Sequence, residues 1–221
     1  MITPKTLVLC SGGLDSVVAA AVLRKQNHNV SLFYVAYGSL AEEQEIMAVG
    51  SCAAAMEISC VILPHRCREL YGSTAMNSQS QDPGGSQLSG QQAWVPARNL
   101  LLLSLATVYA ARNGFNNIAI GNIADGIYAD NKVEFTDRFE RLLELASSPV
   151  ELHCLAPVVH LTKTELIREG VLLHVPYGLT WSCYRSGDLH CGTCGSCVSR
   201  ARAFKAAEVD DRVRYEKLPL A

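Results

Sequence analysis

The sequence has no run of eighteen apolar residues, so nothing in it predicts a helix that crosses a bilayer. Its opening, "MITPKTLVLC", lacks the small-residue cleavage site of a signal peptide, and the expectation is a soluble, cytoplasmic protein. Charge imbalance is missing too. The 19 Lys and Arg against 21 Asp and Glu leave a formal net charge of −2, which excludes a global basic field for gathering nucleic acid. No repeat and no interdomain linker is visible in the 221 residues, a length that suits one well-buried domain with a small appendage. Neither G-x-x-x-x-G-K-[ST] nor G-x-G-x-x-G occurs, so the readings as a P-loop NTPase and as a Rossmann dinucleotide-binding protein both fail at the motif.

Apolar residues make up 49% of the chain and charged residues 18%, enough to bury a core. Short β-rich runs at 6–10, 30–36, 60–63, 118–121 and 152–156 alternate with helical patterns at 15–26, 41–56, 99–112, 134–146 and 163–172. Repeated βα units whose strands are continuously apolar predict an α/β fold. Its five-stranded parallel sheet carries helices on both faces and binds ligands beyond the carboxyl ends of the strands. Segment 72–92, rich in Ser, Gln and Gly, breaks the pattern and reads as a lid or a disordered insertion. It runs into "WVPARN", where Pro96 constrains the backbone and Arg98 offers a planar donor fork. The tail 198–217 carries six Lys or Arg against four Asp or Glu and reads as a solvated helix.

After the first strand comes Ser11-Gly12-Gly13-Leu14-Asp15-Ser16. The two glycines allow a tight turn that brings backbone N–H groups close to a ligand, and the following helix points its positive end at the same place. Such a turn can hold phosphate without a lysine. Asp15 is then free to position Mg2+ or to order the N–H groups of the turn itself.

The nine cysteines do not read as a disulfide framework, because four crowd into one stretch and the rest are dispersed. Cys10, Cys52, Cys60, Cys67 and Cys154 lie among apolar neighbours as small core residues. Cys183, Cys191, Cys194 and Cys197, as C-x7-C-x2-C-x2-C, suit tetrahedral zinc with Zn–S bonds of about 2.3 Å. A redox C-x-x-C and an iron–sulfur cluster are the competing readings. Four sulfurs close a structural site, and His190 reads as a neighbour of it.

The string from Ser11 to Ser16 resembles the pyrophosphate loop of the N-type ATP pyrophosphatases, which cleave ATP between the α and β phosphates to form an adenylate. Together with "VPARN" at 95–99, "LTK" at 161–163 and "LTWSCYRSGDLHCGTCGSCVSRARAF" at 179–204, it resembles the 7-cyano-7-deazaguanine synthase (QueC) family nearly end to end. The resemblance implies a Rossmann-like fold of the adenine nucleotide alpha hydrolase type, with a PP-loop domain over 1–178 and a zinc-binding segment over 179–221 packed on it. It implies a homodimer that uses ATP, Mg2+ and structural Zn2+. The substrate implied is 7-carboxy-7-deazaguanine, adenylated, amidated by ammonia, then activated again and dehydrated to the nitrile. By position, Ser11, Gly12, Gly13, Leu14, Asp15, Ser16 and Asn99 would bind the nucleotide, while Lys163 and Arg98 would stabilise charge on the α-phosphate and pyrophosphate.

Two departures stand out. The family reads Tyr-Gly-Gln-Arg-His where this chain has Tyr37-Gly38-Ser39-Leu40-Ala41, and Pro-Asp-Cys-Arg where it has Ala129-Asp130-Asn131-Lys132. The implied activation chemistry is retained while residues toward the base or the amine acceptor differ. The closest rival therefore joins the activated deazaguanine to a protein amine as an amide, as QueC-like proteins in anti-phage defence can. More distant rivals are a tRNA-modifying PP-loop enzyme, disfavoured by the missing basic surface, and a zinc-stapled binding module without catalysis.

Overall fold

The computed structural model describes residues 3–64, 94–148 and 150–219. The segment 72–92 and Cys67 lie outside the described residues. Five parallel strands, β1 (Lys5–Leu9), β2 (Asn29–Ala36), β3 (Ser59–Pro64), β4 (Asn117–Ala119) and β5 (His153–Leu155), pair in the order β3-β2-β1-β4-β5. Among the described residues the α-helices are α1 (Leu14–Lys25), α2 (Glu42–Ala55), α3 (Arg98–Arg112), α4 (Val133–Ala146), α5 (Lys163–Leu172) and α6 (Gly195–Ala207).

The continuous apolar strands have a direct structural cause: both faces of the sheet are covered. Val8, Leu32 and Tyr34 point into one core with α1, α2, α5 and α6, whereas Leu7, Leu9, Phe33 and Val35 point into a second core with α3 and α4. Each fully buried aliphatic side chain contributes about 1.5–3 kcal/mol relative to exposure. A one-residue slip of β1 would exchange the two sets, so the register Leu7 to Ser31 on one side and Leu7 to Ile118 on the other is strongly specified.

Local signals agree with this packing. In α4 the buried Thr136, Phe139 and Leu143 recur at helical spacing. α5 opens on a capping box, in which Thr162 Oγ1 accepts from the Glu165 N–H at 3.3 Å and Glu165 Oε2 accepts from the Thr162 N–H at 2.8 Å.

Two elements differ from the sequence expectation. β4 ends at Ala119 rather than running to 121, because Gly121 leaves the sheet to pack directly on the backbone of Ser16. The tail 198–217 is not a wholly solvated helix. α6 buries Cys197, Arg200, Ala203, Phe204 and Ala207 on one face, which a charge count over the whole tail conceals.

From β1 the chain moves outward to β2 and β3, and from β4 it moves the other way to β5. The central crevice between the ends of β1 and β4 is the switch point at which ligands bind in such sheets.

Candidate active site

The first-strand turn lies at that crevice. Gly12 takes φ +74°, and a Cβ there would stand 2.6 Å from Ala48 Cβ, so the turn is pressed onto α2. Gly13 is the N-cap of α1, leaving the first amides of that helix directed at the crevice. Behind the turn, Ser16 Oγ donates to the Gly13 carbonyl at 3.3 Å and to Cys10 Sγ at 3.4 Å. Burial pushes the Cys10 thiol up to about 11, so this sulfur is inert packing, as is the buried Cys52. Cys60 and Cys154 are half-buried.

Ser11, Gly13, Leu14, Asp15, Ser16, Arg98, Asn99 and Lys163 all line one cleft of about 570 Å³. Lys163, the first residue of α5, places Nζ 3.2 Å from Asp15 Oδ2, with both side chains partly exposed. Its backbone N–H donates to the Asp125 carboxylate at 3.2 Å. Asp15 Oδ1 is buried without a hydrogen-bond partner among the described residues. An oxygen in that state fits a divalent cation, whose hard charge suits carboxylate ligands.

Arg98 opens α3 directly after Ala97, which holds a left-handed φ of +51° unusual for alanine. Burial works against its guanidinium charge. Tyr37, Glu45 and Asp130 overcome that effect, and the group stays firmly protonated. Asn99 is buried beside it and uses its amide on the following turn, donating to Asn131 Oδ1 at 2.9 Å and to the Asp130 carbonyl at 3.2 Å. The segment 129–132 that departs from the family pattern is thus braced by Asn99.

Cys183, Cys191, Cys194 and Cys197 bring their four sulfurs within 4.8 Å of one another, all buried. The Cys194 N–H donates to Cys191 Sγ at 3.3 Å and the Cys191 N–H to Cys183 Sγ at 3.4 Å, contacts that stabilise thiolate character. Hydrogen bonds from Cys183 and Cys197 pull the Cys194 thiol down. The donor set fits a soft or borderline metal ion with four closed positions. His190 is outside it: Nε2 accepts from the Ser182 N–H at 3.1 Å, and the ring packs on Trp181 and Tyr215.

The metal segment reaches the anion turn through a strap that sequence reasoning missed. The Trp181 N–H donates to the Gly12 carbonyl at 2.9 Å. Arg200, 1% exposed, pairs with Asp211 at 2.9 Å and donates to Thr180 Oγ1, Ser182 Oγ and the Tyr177 carbonyl. The bonds to the Gly12 and Tyr177 carbonyls cross the boundary expected between 178 and 179. Glu45 was also missed: its Oε2 accepts from Tyr34 Oη at 2.7 Å and Ser39 Oγ at 2.8 Å, and it lines the cleft. Burial raises its carboxyl, with those hydrogen bonds and Arg98 acting against the rise. No single-sequence signal marks Glu45, because its neighbours Glu42 and Glu43 look the same on paper.

Fold and site together define a PP-loop α/β protein with a cluster of four cysteines that could hold a metal ion. A family model described as "Queuosine biosynthesis protein QueC" matches residues 5–208, and the chain belongs to the QueC family. A 7-cyano-7-deazaguanine synthase of Methanothrix thermoacetophila is 38% identical over 224 residues, covering 96% of this chain and 99% of that protein. Another, of Sulfolobus acidocaldarius, is 38% identical over 221 residues, covering 96% of this chain but 48% of that protein. The chain therefore spans about half the length of the Sulfolobus relative and nearly all of the Methanothrix one. A solved structure from Methanocaldococcus jannaschii, titled a "predicted subunit of tRNA methyltransferase", aligns with a TM-score of 0.50 at 16% identity over 77% of this chain and 74% of that one. That likeness concerns the fold. No helix among the described residues is long and apolar enough to cross a membrane.

Proposed function

We propose that this protein is an ATP-dependent C–N ligase that converts 7-carboxy-7-deazaguanine and ammonia, through the amide, to 7-cyano-7-deazaguanine. The observation that carries the proposal is the Asp15–Lys163 pair, set against a Gly-rich turn and a helix N-terminus at the switch point of the sheet. In this reading the amides of the turn hold the departing pyrophosphate. The substrate carboxylate oxygen attacks the α-phosphorus of ATP, and pyrophosphate leaves. Ammonia then displaces AMP to form the amide. A second ATP activates the amide oxygen in the same way, and loss of AMP and a proton leaves the nitrile.

Lys163 and Arg98 supply fixed positive charge where the transition state gathers negative charge. Asp15 orients Lys163 through Oδ2 and offers Oδ1 to Mg2+, which when bound neutralises phosphate charge. Cys183, Cys191, Cys194 and Cys197 would hold Zn2+, which supplies cross-linking and, having four thiolates, no open position for chemistry. The family resemblance extends the reading to a cytoplasmic homodimer, which sedimentation of the purified protein checks.

A second reading is favoured by the segment after β2, where Ser39 and Ala41 are both buried and the arginine and histidine of the family pattern are gone. In it the activated base is passed to a protein amine and the product remains an amide. Mass spectrometry of a reaction with ATP, Mg2+, the carboxy-deazaguanine and ammonia separates the two. Nitrile and AMP together support the ligase reading; AMP release with no nitrile overturns it in favour of the second.

A further inference from the structure

The end of β2 and the start of α2 contribute Val35 and the Glu45 carboxylate to the lining of the cleft, and Leu102 of α3 adds apolar surface. Three carboxylates line the described cleft: Asp15, Asp125 and Glu45. Asp15 is paired with Lys163 Nζ, and Asp125 accepts from the Lys163 backbone N–H. Glu45 differs from both in its hydrogen bonds: two neutral hydroxyls, Tyr34 and Ser39, converge on one oxygen, Oε2, while the Arg98 guanidinium supplies the neighbouring positive charge. One of those hydroxyls belongs to Ser39, within the segment where this chain departs from its family's pattern.

A deazaguanine presents a ring N–H and an exocyclic amino group side by side, two coplanar donors that a carboxylate accepts as a fork. The corresponding edge of adenine places an acceptor next to its amino group, which a carboxylate repels. Enzymes that act on an isolated base read it through this edge. We infer that Glu45 is the specificity-determining residue that reads the amino-oxo edge of the deazaguanine, held in place for that purpose by Tyr34 and Ser39. The inference rests on the ligase reading above and adds to it the group that tells the substrate base from the base of ATP.

The test uses the intact wild-type protein and Glu45→Gln, each with 7-carboxy-7-deazaguanine and with its analogue lacking the 2-amino group, scored by AMP release. For the wild type, loss of the amino group should raise KM about 10–100-fold, the range for an unpaired buried hydrogen-bonding group. Glu45→Gln should raise KM for the natural base by a similar factor, treat base and analogue alike, and leave KM for ATP unchanged. If wild type handles base and analogue equally, or if Glu45→Gln raises KM for ATP instead, the inference is overturned. The wild-type comparison decides by itself should the variant not fold. A wild type that releases no AMP with the natural base would overturn the ligase reading itself, a different result from AMP release without discrimination.

Discussion

Lys163 Nζ stands 3.2 Å from Asp15 Oδ2. The cation that a Walker loop carries within its own turn is here delivered from the start of α5, and the aspartate in the turn receives it. The pair is one device, so removing either member should have one effect. Asp15→Asn and Lys163→Ala are each expected to lower pyrophosphate release about 10²–10³-fold. The double variant should be hardly worse than either single one, and all three should unfold close to wild type, since a partly exposed pair contributes about 0–1 kcal/mol. Fully multiplicative losses would show that the two residues act separately.

Backbone approach at the turn is equally testable. Gly12→Ala places a Cβ 2.6 Å from Ala48 Cβ at φ +74°, and Gly121→Ala places one 2.7 Å from Ser16 Cα. Each should cost about 1–3 kcal/mol in urea unfolding. Ala97→Gly, at φ +51°, should instead leave stability unchanged or raise it by about 1 kcal/mol.

Metal removal should reach the anion turn through Trp181. Purified protein is expected to carry zinc in one-to-one ratio with the chain, by elemental analysis. Chelation or Cys194→Ser should release the Trp181 to Gly12 hydrogen bond, seen as faster amide exchange across 179–200 and weaker ATP binding. Unchanged ATP affinity in metal-free, folded protein would disprove the coupling.

Arg200 is buried and paired with Asp211, whose second oxygen also accepts from Tyr215 Oη at 2.6 Å. Arg200→Met strands that carboxylate and should cost about 3–5 kcal/mol of stability. Adding Asp211→Asn should recover part of the loss, because the stranded charge is then gone.

His153 titrates with a raised pKa, its hydrogen bond to Glu140 at 2.8 Å being the main cause. A histidine held above its unfolded value of about 6.5 contributes stability that is fully present below that pH and is lost as pH rises through the folded value. Urea midpoints of wild type and Glu140→Gln should accordingly differ more at about pH 6 than at about pH 8. A constant gap would assign the whole effect to the bond between Glu140 and the Cys154 N–H.

The strands were readable because their residues are buried on both faces, which leaves continuous apolar runs, and α5 because its capping box and periodicity coincide. The Ser11–Ser16 turn and the four cysteines were readable because each is contiguous or nearly so. Arg200 was hidden by its charge. A buried arginine looks like a surface one until its partners Asp211, Thr180 and Ser182 are known.

By itself the sequence determined the parallel α/β layering, the anion turn and the four-sulfur site, all local or periodic patterns that need no knowledge of distant contacts. Only the tertiary structure decided that Lys163 meets Asp15, that Trp181 ties the metal segment to Gly12, and that Glu45 faces the cleft while Glu43 is exposed. Those relationships depend on how helices pack across the edge of the sheet, and residues far apart in the chain carry no mark of which neighbours that packing assigns to them.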